Sequence, residues 1–132
     1  MTKPTAGATV PCHITVQVHC YYRAENSDPE QHRFNFAYDV KLSNTGSIGA
    51  KLLQRHWFIM DGHRRVEEVR GVGVVGEQPY LKPGETFEYT SFAVISTPIG
   101  NMYGTYEMIS DHGQLFMVEI KNFRLIKTDS VH

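Results

Sequence analysis

Apolar and polar residues alternate with a period of two along most of this chain. Ile14, Val16, Val18, Cys20 and Tyr22 share one parity, while Thr15, Gln17 and His19 take the other. That is the pattern of a half-buried strand. Phe34, Phe36, Tyr38, Val40 and Leu42 repeat it, and Ser43-Asn44-Thr45-Gly46 closes the second strand. Residues 23–33 between them are polar and carry a Ser27-Asp28-Pro29 turn signal. A third strand is read over 51–61, with Leu53, Trp57 and Ile59 on one parity. Asp61-Gly62 predicts a type I′ hairpin, whose two central residues both need positive φ. The returning strand spans 66–70. Pro83-Gly84 predicts a turn, with proline fixing φ and glycine taking its positive value. Three more strands are expected over 86–93, 102–109 and 114–120, the last running on through Phe123 and Leu125. Ser96–Asn101 reads as a loop and Asp111-His112-Gly113 as another hairpin.

No segment sustains a 3.6-residue period, so no helix is predicted. About seven to eight short antiparallel strands with turn signals between them predict an all-β chain, an immunoglobulin/fibronectin type III-like β-sandwich. A barrel gives similar alternation, but the lone Trp57 on the third strand suits the centre of a sandwich. Residues 1–11 lack periodicity and are expected to form a flexible N-terminal arm. The sandwich domain is expected over 12–126, with a tail over 127–132.

Composition narrows the function more than the fold. A length of 132 residues fits one domain with its own core. The formal net charge of −1 offers no basic footprint, which argues against nucleic acid as a partner. The apolar runs are far too short for membrane insertion, and the first residues lack the apolar centre of a signal peptide. Cys12 and Cys20, eight steps apart on one strand, would sit about 26 Å apart, against the roughly 7 Å limit for a disulfide. Free thiols and a cytoplasmic location are expected.

Candidate chemistry begins with a literal G-x-G-x-x-G at Gly71, Gly73 and Gly76. In a dinucleotide-binding unit this motif follows a strand and opens a helix whose N-terminus holds pyrophosphate. Here Pro79 follows within three residues of Gly76, and Tyr80-Leu81-Lys82-Pro83-Gly84 is turn-like. No βαβ unit fits. Two readings remain: a glycine-bearing bulge or connection, or a small nest of backbone amides beside Arg70 that takes a phosphate, pyrophosphate or nucleotide. Metal binding has one candidate group, His56, Asp61 and His63 around the first hairpin, but without ligand spacing. No metal or cofactor is therefore expected. Glu67 and Glu68 are adjacent on a strand and face opposite sides. Cys12 and Cys20 carry no nucleophile signature, and Ser91 and Ser96 lack an elbow context. No catalytic residue is predicted, and the chain is not expected to be an enzyme.

From Leu52 onward specific words occur in fixed order: Arg55-His56-Trp57, Asp61-Gly62, Val66-Glu67-Glu68-Val69-Arg70-Gly71 and Val75-Gly76-Glu77-Gln78-Pro79. They continue through Leu81-x-Pro83-Gly84-Glu85, Ser96-Thr97-Pro98, Gly100-x-Met102-x-Gly104-x-Tyr106-x-Met108 and Phe116-x-Val118-x-Ile120. This string resembles the ApaG family, and the resemblance covers roughly residues 10–126. It implies a fibronectin or immunoglobulin-like sandwich without established catalysis. It also implies an association with cobalt and magnesium homeostasis and with a diadenosine tetraphosphate hydrolase through gene context, and protein recognition in the eukaryotic members. Two departures stand out. Phe92 replaces a glycine that usually follows Thr-Ser, and Ile120-Lys121-Asn122-Phe123 replaces Ile-Pro-Pro-x-Phe, leaving Lys121 to guard that edge by charge. The leading expectation is a protein-interaction module with an unnamed protein partner, contacting it through Phe92, Thr97, Pro98 and Asn101. A homo-oligomer is compatible with this reading. The rival is a phosphate-containing small molecule at Arg70, Gly71, Gly73 and Gly76.

Overall fold

The structure, a computed structural model, describes residues 12–128. The expected arm over 1–11, and all but the first two residues of the expected tail, lie outside the described residues. Eight antiparallel strands make two sheets. The first runs in the order β1 (Ile14–Tyr22), β2 (Phe34–Asn44), β6 (Thr86–Ile95). In the second, β4 (Val66–Val72), β3 (Ala50–Asp61), β7 (Ile99–Ser110) and β8 (Leu115–Ile126) follow one another. The two-residue β5 (Tyr80–Leu81) pairs with Ala50 and Lys51 on the β4 side of β3.

Alternation does what it predicts in the first sheet. Phe34, Phe36, Tyr38, Val40 and Leu42 of the central β2 are all buried, and the apolar set of β1 packs against the same core. Facing them from the second sheet are Leu52, Trp57, Met102, Tyr106, Met108, Ile120 and Leu125. Trp57 lies at the centre, edge-on to Tyr106 and Phe123 and tilted against Tyr38. The hydroxyls of Tyr89 and Tyr106 hydrogen-bond to each other inside this core, which satisfies two groups that burial would otherwise penalise.

The second sheet departs from strict alternation twice. Its β3–β7 register shifts between Leu52 and Gln54, so the inward residue before the bulge is Leu52 rather than the expected Leu53. One extra residue in a strand reverses the parity of everything beyond it. The β7–β8 register shifts again between Met102 and Gly104, opposite Phe123 and Ile120. Buried Val118 and Ile120 precede the shift, and Phe123 and Leu125 face the core after it. The residues taken up by this bulge are Lys121 and Asn122.

Two hairpins differ from expectation in an instructive way. The Asp61 carbonyl accepts from the Arg64 amide and the Asp61 amide donates to the Arg65 carbonyl. Arg64 alone holds positive φ, at 66°, and Gly62 does not. This is a three-residue loop with one left-handed residue rather than the predicted type I′ turn. The β7–β8 hairpin has the same bonds, Gly113 amide to Ser110 carbonyl and Ser110 amide to Gln114 carbonyl, with Gly113 at φ 79°. The expected loop over Ser96–Asn101 is shorter than predicted, because Ile99–Asn101 already belong to β7.

The molecule therefore has two unlike ends. One carries the turns near Gly46, Gly76, Gly84 and Gly113. The other carries the Asp61–Arg65 hairpin, the 96–98 connection and the 23–33 segment.

Candidate functional site

The hairpin end is cross-braced by side-chain hydrogen bonds centred on Asp61 and Thr97. Asp61 Oδ1 accepts from the His63 amide at 2.8 Å and the Arg65 amide at 3.0 Å. Its Oδ2 accepts from Arg65 Nε at 3.1 Å and Ser96 Oγ at 3.3 Å. These donors, the Arg65 amide foremost, hold the carboxyl below the usual aspartate range against the opposing effect of desolvation. Buried Thr97 accepts from the Gly62 amide at 2.7 Å and donates to the Ile99 carbonyl at 2.8 Å. A Cβ on Gly62 would sit 3.2 Å from both Thr97 Oγ1 and the Ile99 carbonyl. Glycine eases the close approach here rather than supplying positive φ. Two sequence words, Asp61-Gly62 and Ser96-Thr97-Pro98, thus latch one loop onto another.

Beside this latch lies an open groove of about 560 Å³, lined by Met60, Asp61, Gly62, Arg64, Ile99, Gly100, Asn101, Asn122 and Arg124. A Cβ on Gly100 would come 2.4 Å from the Met60 carbonyl, so glycine lets β7 close against β3 under the groove. Asn101 enters it from β7, while the β8 bulge turns Asn122 and Arg124 outward toward it.

The expected partner residues do not form one surface. Thr97 is a buried brace, Pro98 is exposed on the connection, and Asn101 lines the groove. Phe92 sits on the outer face of the other sheet, paired with Ala37, with the Arg23 guanidinium 4.6 Å above its ring. The suggested metal residues part as well. His56 Nε2 bonds Glu68 at 2.6 Å on the outer face of the larger sheet, while Asp61 is engaged by the latch. No group of three or more His, Cys, Asp or Glu able to hold a metal occurs among the described residues.

The glycine stretch resolves into strand and hairpin. Gly71 ends within β4 opposite Arg55, and a Cβ there would lie 2.6 Å from that guanidinium. Arg55 itself bonds the Gly73 carbonyl at 2.9 Å. The Gly73 amide donates to Leu53, and Val74 and Glu77 exchange both backbone hydrogen bonds. Val75 and Gly76, at φ 42° and 82°, form the type I′ tip between them. Within Gly71–Gly76 the amides of Gly73 and Val74 are already engaged in the ladder or the turn. Arg70 pairs with Glu68 at 2.9 Å. Both cysteines are free, and the Cys20 thiol, raised by burial, donates to the Arg124 carbonyl at 2.9 Å.

Arg124 and Asn122 were not legible as site residues, because alternation alone cannot place a bulge. Arg64 had a signal: in a hairpin of this loop length the third residue takes the left-handed conformation, whatever its side chain.

Comparison with known proteins matches the sequence words to the fold. The ApaG domain family matches residues 24–110. Relatives named Protein ApaG are 51% identical in Bordetella pertussis, over 92% of this chain and 93% of theirs. In Acidithiobacillus ferrooxidans the identity is 49%, over 92% and 96%. A crystal structure of a Bordetella pertussis protein described as ApaA superposes with a TM-score of 0.88 at 51% identity, covering 91% of this chain and 98% of that one. With a family match across most of the chain and relatives of half-identical sequence over nearly all of it, this chain belongs to the ApaG domain family.

Proposed function

We propose that this chain is a non-catalytic, cytoplasmic interaction module on an immunoglobulin or fibronectin type III-like frame, recognising its partner through the hairpin end. One observation carries the reading: the Asp61–Thr97 latch fixes two loops beside an open groove. Pre-ordered loops at the end of a rigid sandwich lower the entropic cost of recognition. The absence of catalysis is supported by how the polar groups are used. His56 is engaged with Glu68, the Cys20 thiol with a backbone carbonyl and Asp61 with two amides, an arginine and a serine. The family's association with metal homeostasis then fits contact with another protein better than metal capture.

Affinity capture from a bacterial lysate should retain a reproducible protein that is lost on Pro98→Asp or Asn101→Lys, and kept on Phe92→Ser. Loss on Phe92→Ser alone, with the hairpin-end variants unaffected, would move the surface to the other sheet and defeat the reading.

A further inference from the structure

The groove at the hairpin end contains two cations with nothing to neutralise them. Arg64 and Arg124 both line it and are exposed, and neither guanidinium makes a hydrogen bond or ion pair within the described residues. Four of the other five arginines are engaged: Arg55 with two backbone carbonyls, Arg65 with Asp61, Arg70 with Glu68 and Arg23 with the Phe92 ring, while exposed Arg33 lies on the 23–33 segment and does not line the groove. The groove's one acid, Asp61, is already matched by Arg65 and two amides. The side-chain amides of Asn101 and Asn122 also face the groove without a partner in the described residues.

Backbone geometry puts both arginines there at some cost. Arg64 occupies the left-handed position that Gly113 fills in the otherwise identical β7–β8 hairpin. A side chain in that conformation costs about 1–2 kcal/mol relative to glycine, and such strain tends to collect at functional positions. Arg124 depends on the β8 bulge. Without the extra residue its even parity would continue that of Val118 and Ile120 and turn it into the core. Bulges that re-aim a side chain are a recurring feature of binding sites.

We propose that this groove is an oxyanion-binding site. Arg64 from the hairpin and Arg124 from β8 clamp a phosphate or carboxylate group, and the Asn101 and Asn122 amides complete the donor set. Guanidinium forks suit both groups because they present parallel N–H donors to two oxygens. The site shares the groove and Asn101 with the partner reading above, but its test uses a small anion and the purified chain, so either can fail without the other. It lies at the opposite end of β4 from the glycine stretch.

The test is a titration of the isotope-labelled chain with inorganic pyrophosphate, and separately with succinate, followed by NMR of arginine Nε–H and asparagine side-chain amides. Saturable shifts at Arg64, Arg124, Asn101 and Asn122 are expected with at least one probe, and the probe that saturates identifies the group. Arg64→Gly should bind at least tenfold more weakly while being more stable than the parent, because glycine relieves the strain. That combination separates lost binding from lost folding. Arg124→Gln should weaken binding similarly, and Arg70→Gln should not. Shifts that stay linear with both probes, that spread evenly over all arginines, or that localise to Val75 and Gly76 would overturn the proposal. So would unchanged binding in Arg64→Gly.

Discussion

Tyr89 and Tyr106 offer a direct measurement of how a polar pair survives in an apolar core. Tyr106 is wholly buried and Tyr89 is 8% exposed, and each hydroxyl has the other as its hydrogen-bond partner. Burial raises the pKa of both phenols well above the ordinary tyrosine value, so the pair is neutral at neutral pH. Phenylalanine keeps the ring and removes the hydroxyl, so Tyr106→Phe leaves packing intact and strands the Tyr89 oxygen. A buried group left without its partner costs about 1–3 kcal/mol. Tyr89→Phe should cost at least as much, because it strands the deeper hydroxyl. The double variant removes both groups together and should return to within about 1 kcal/mol of the parent, since replacing both partners by apolar groups is close to neutral. The cycle therefore predicts a coupling close to the sum of the two single losses, less about 1 kcal/mol at most. Urea unfolding of the four proteins measures it, with unchanged m-values as the check that the transition stays comparable. If the double variant loses the sum of the two single losses, the hydroxyls do not depend on one another and the reasoning fails.

Other predictions follow from the turns and the latch. Val75 holds φ 42° in a type I′ tip, so Val75→Asn should stabilise by about 1 kcal/mol; a lower urea midpoint would contradict the strain. Thr97→Ala removes the acceptor of the Gly62 amide and should cost about 1–2 kcal/mol, whereas Thr97→Ser should keep most of that stability. Asp61 has a folded pKa below its unfolded value, so its contribution is present above the ordinary carboxylate range and disappears as pH falls through the lowered value. The stability gap between the parent and Asp61→Asn should thus be full at neutral pH and shrink below about pH 4. A gap that is constant from neutral to acid pH would rule this out.

The sheet-forming residues were largely readable because burial on one face imposes a period of two. Phe34 to Leu42 shows this most clearly: every predicted inward residue is buried. Reading failed where backbone geometry changed without a compositional sign. Leu53 and Lys121-Asn122 sit in bulges, and nothing in side-chain pattern announces an extra residue. Asp61-Gly62 named the right hairpin for the wrong reason, since its glycine serves the approach of Thr97 while Arg64 takes the left-handed position. The same gap hid the groove. Its residues come from β3, β7, β8 and a hairpin tip, and only the register of three strands brings them together.

The unlike ends of the sandwich also matter for handling the protein. At Gly113 an added Cβ would meet nothing within 4 Å, and this tip stands at the far end of β7 from the arginine groove. A linker, dye or surface tether attached through that hairpin would leave Arg64 and Arg124 directed into solution, in one orientation across a whole immobilised layer. The division of labour between glycine turns and arginine groove thus supplies a ready geometry for a sensor surface, with attachment and recognition separated by the length of the sheet.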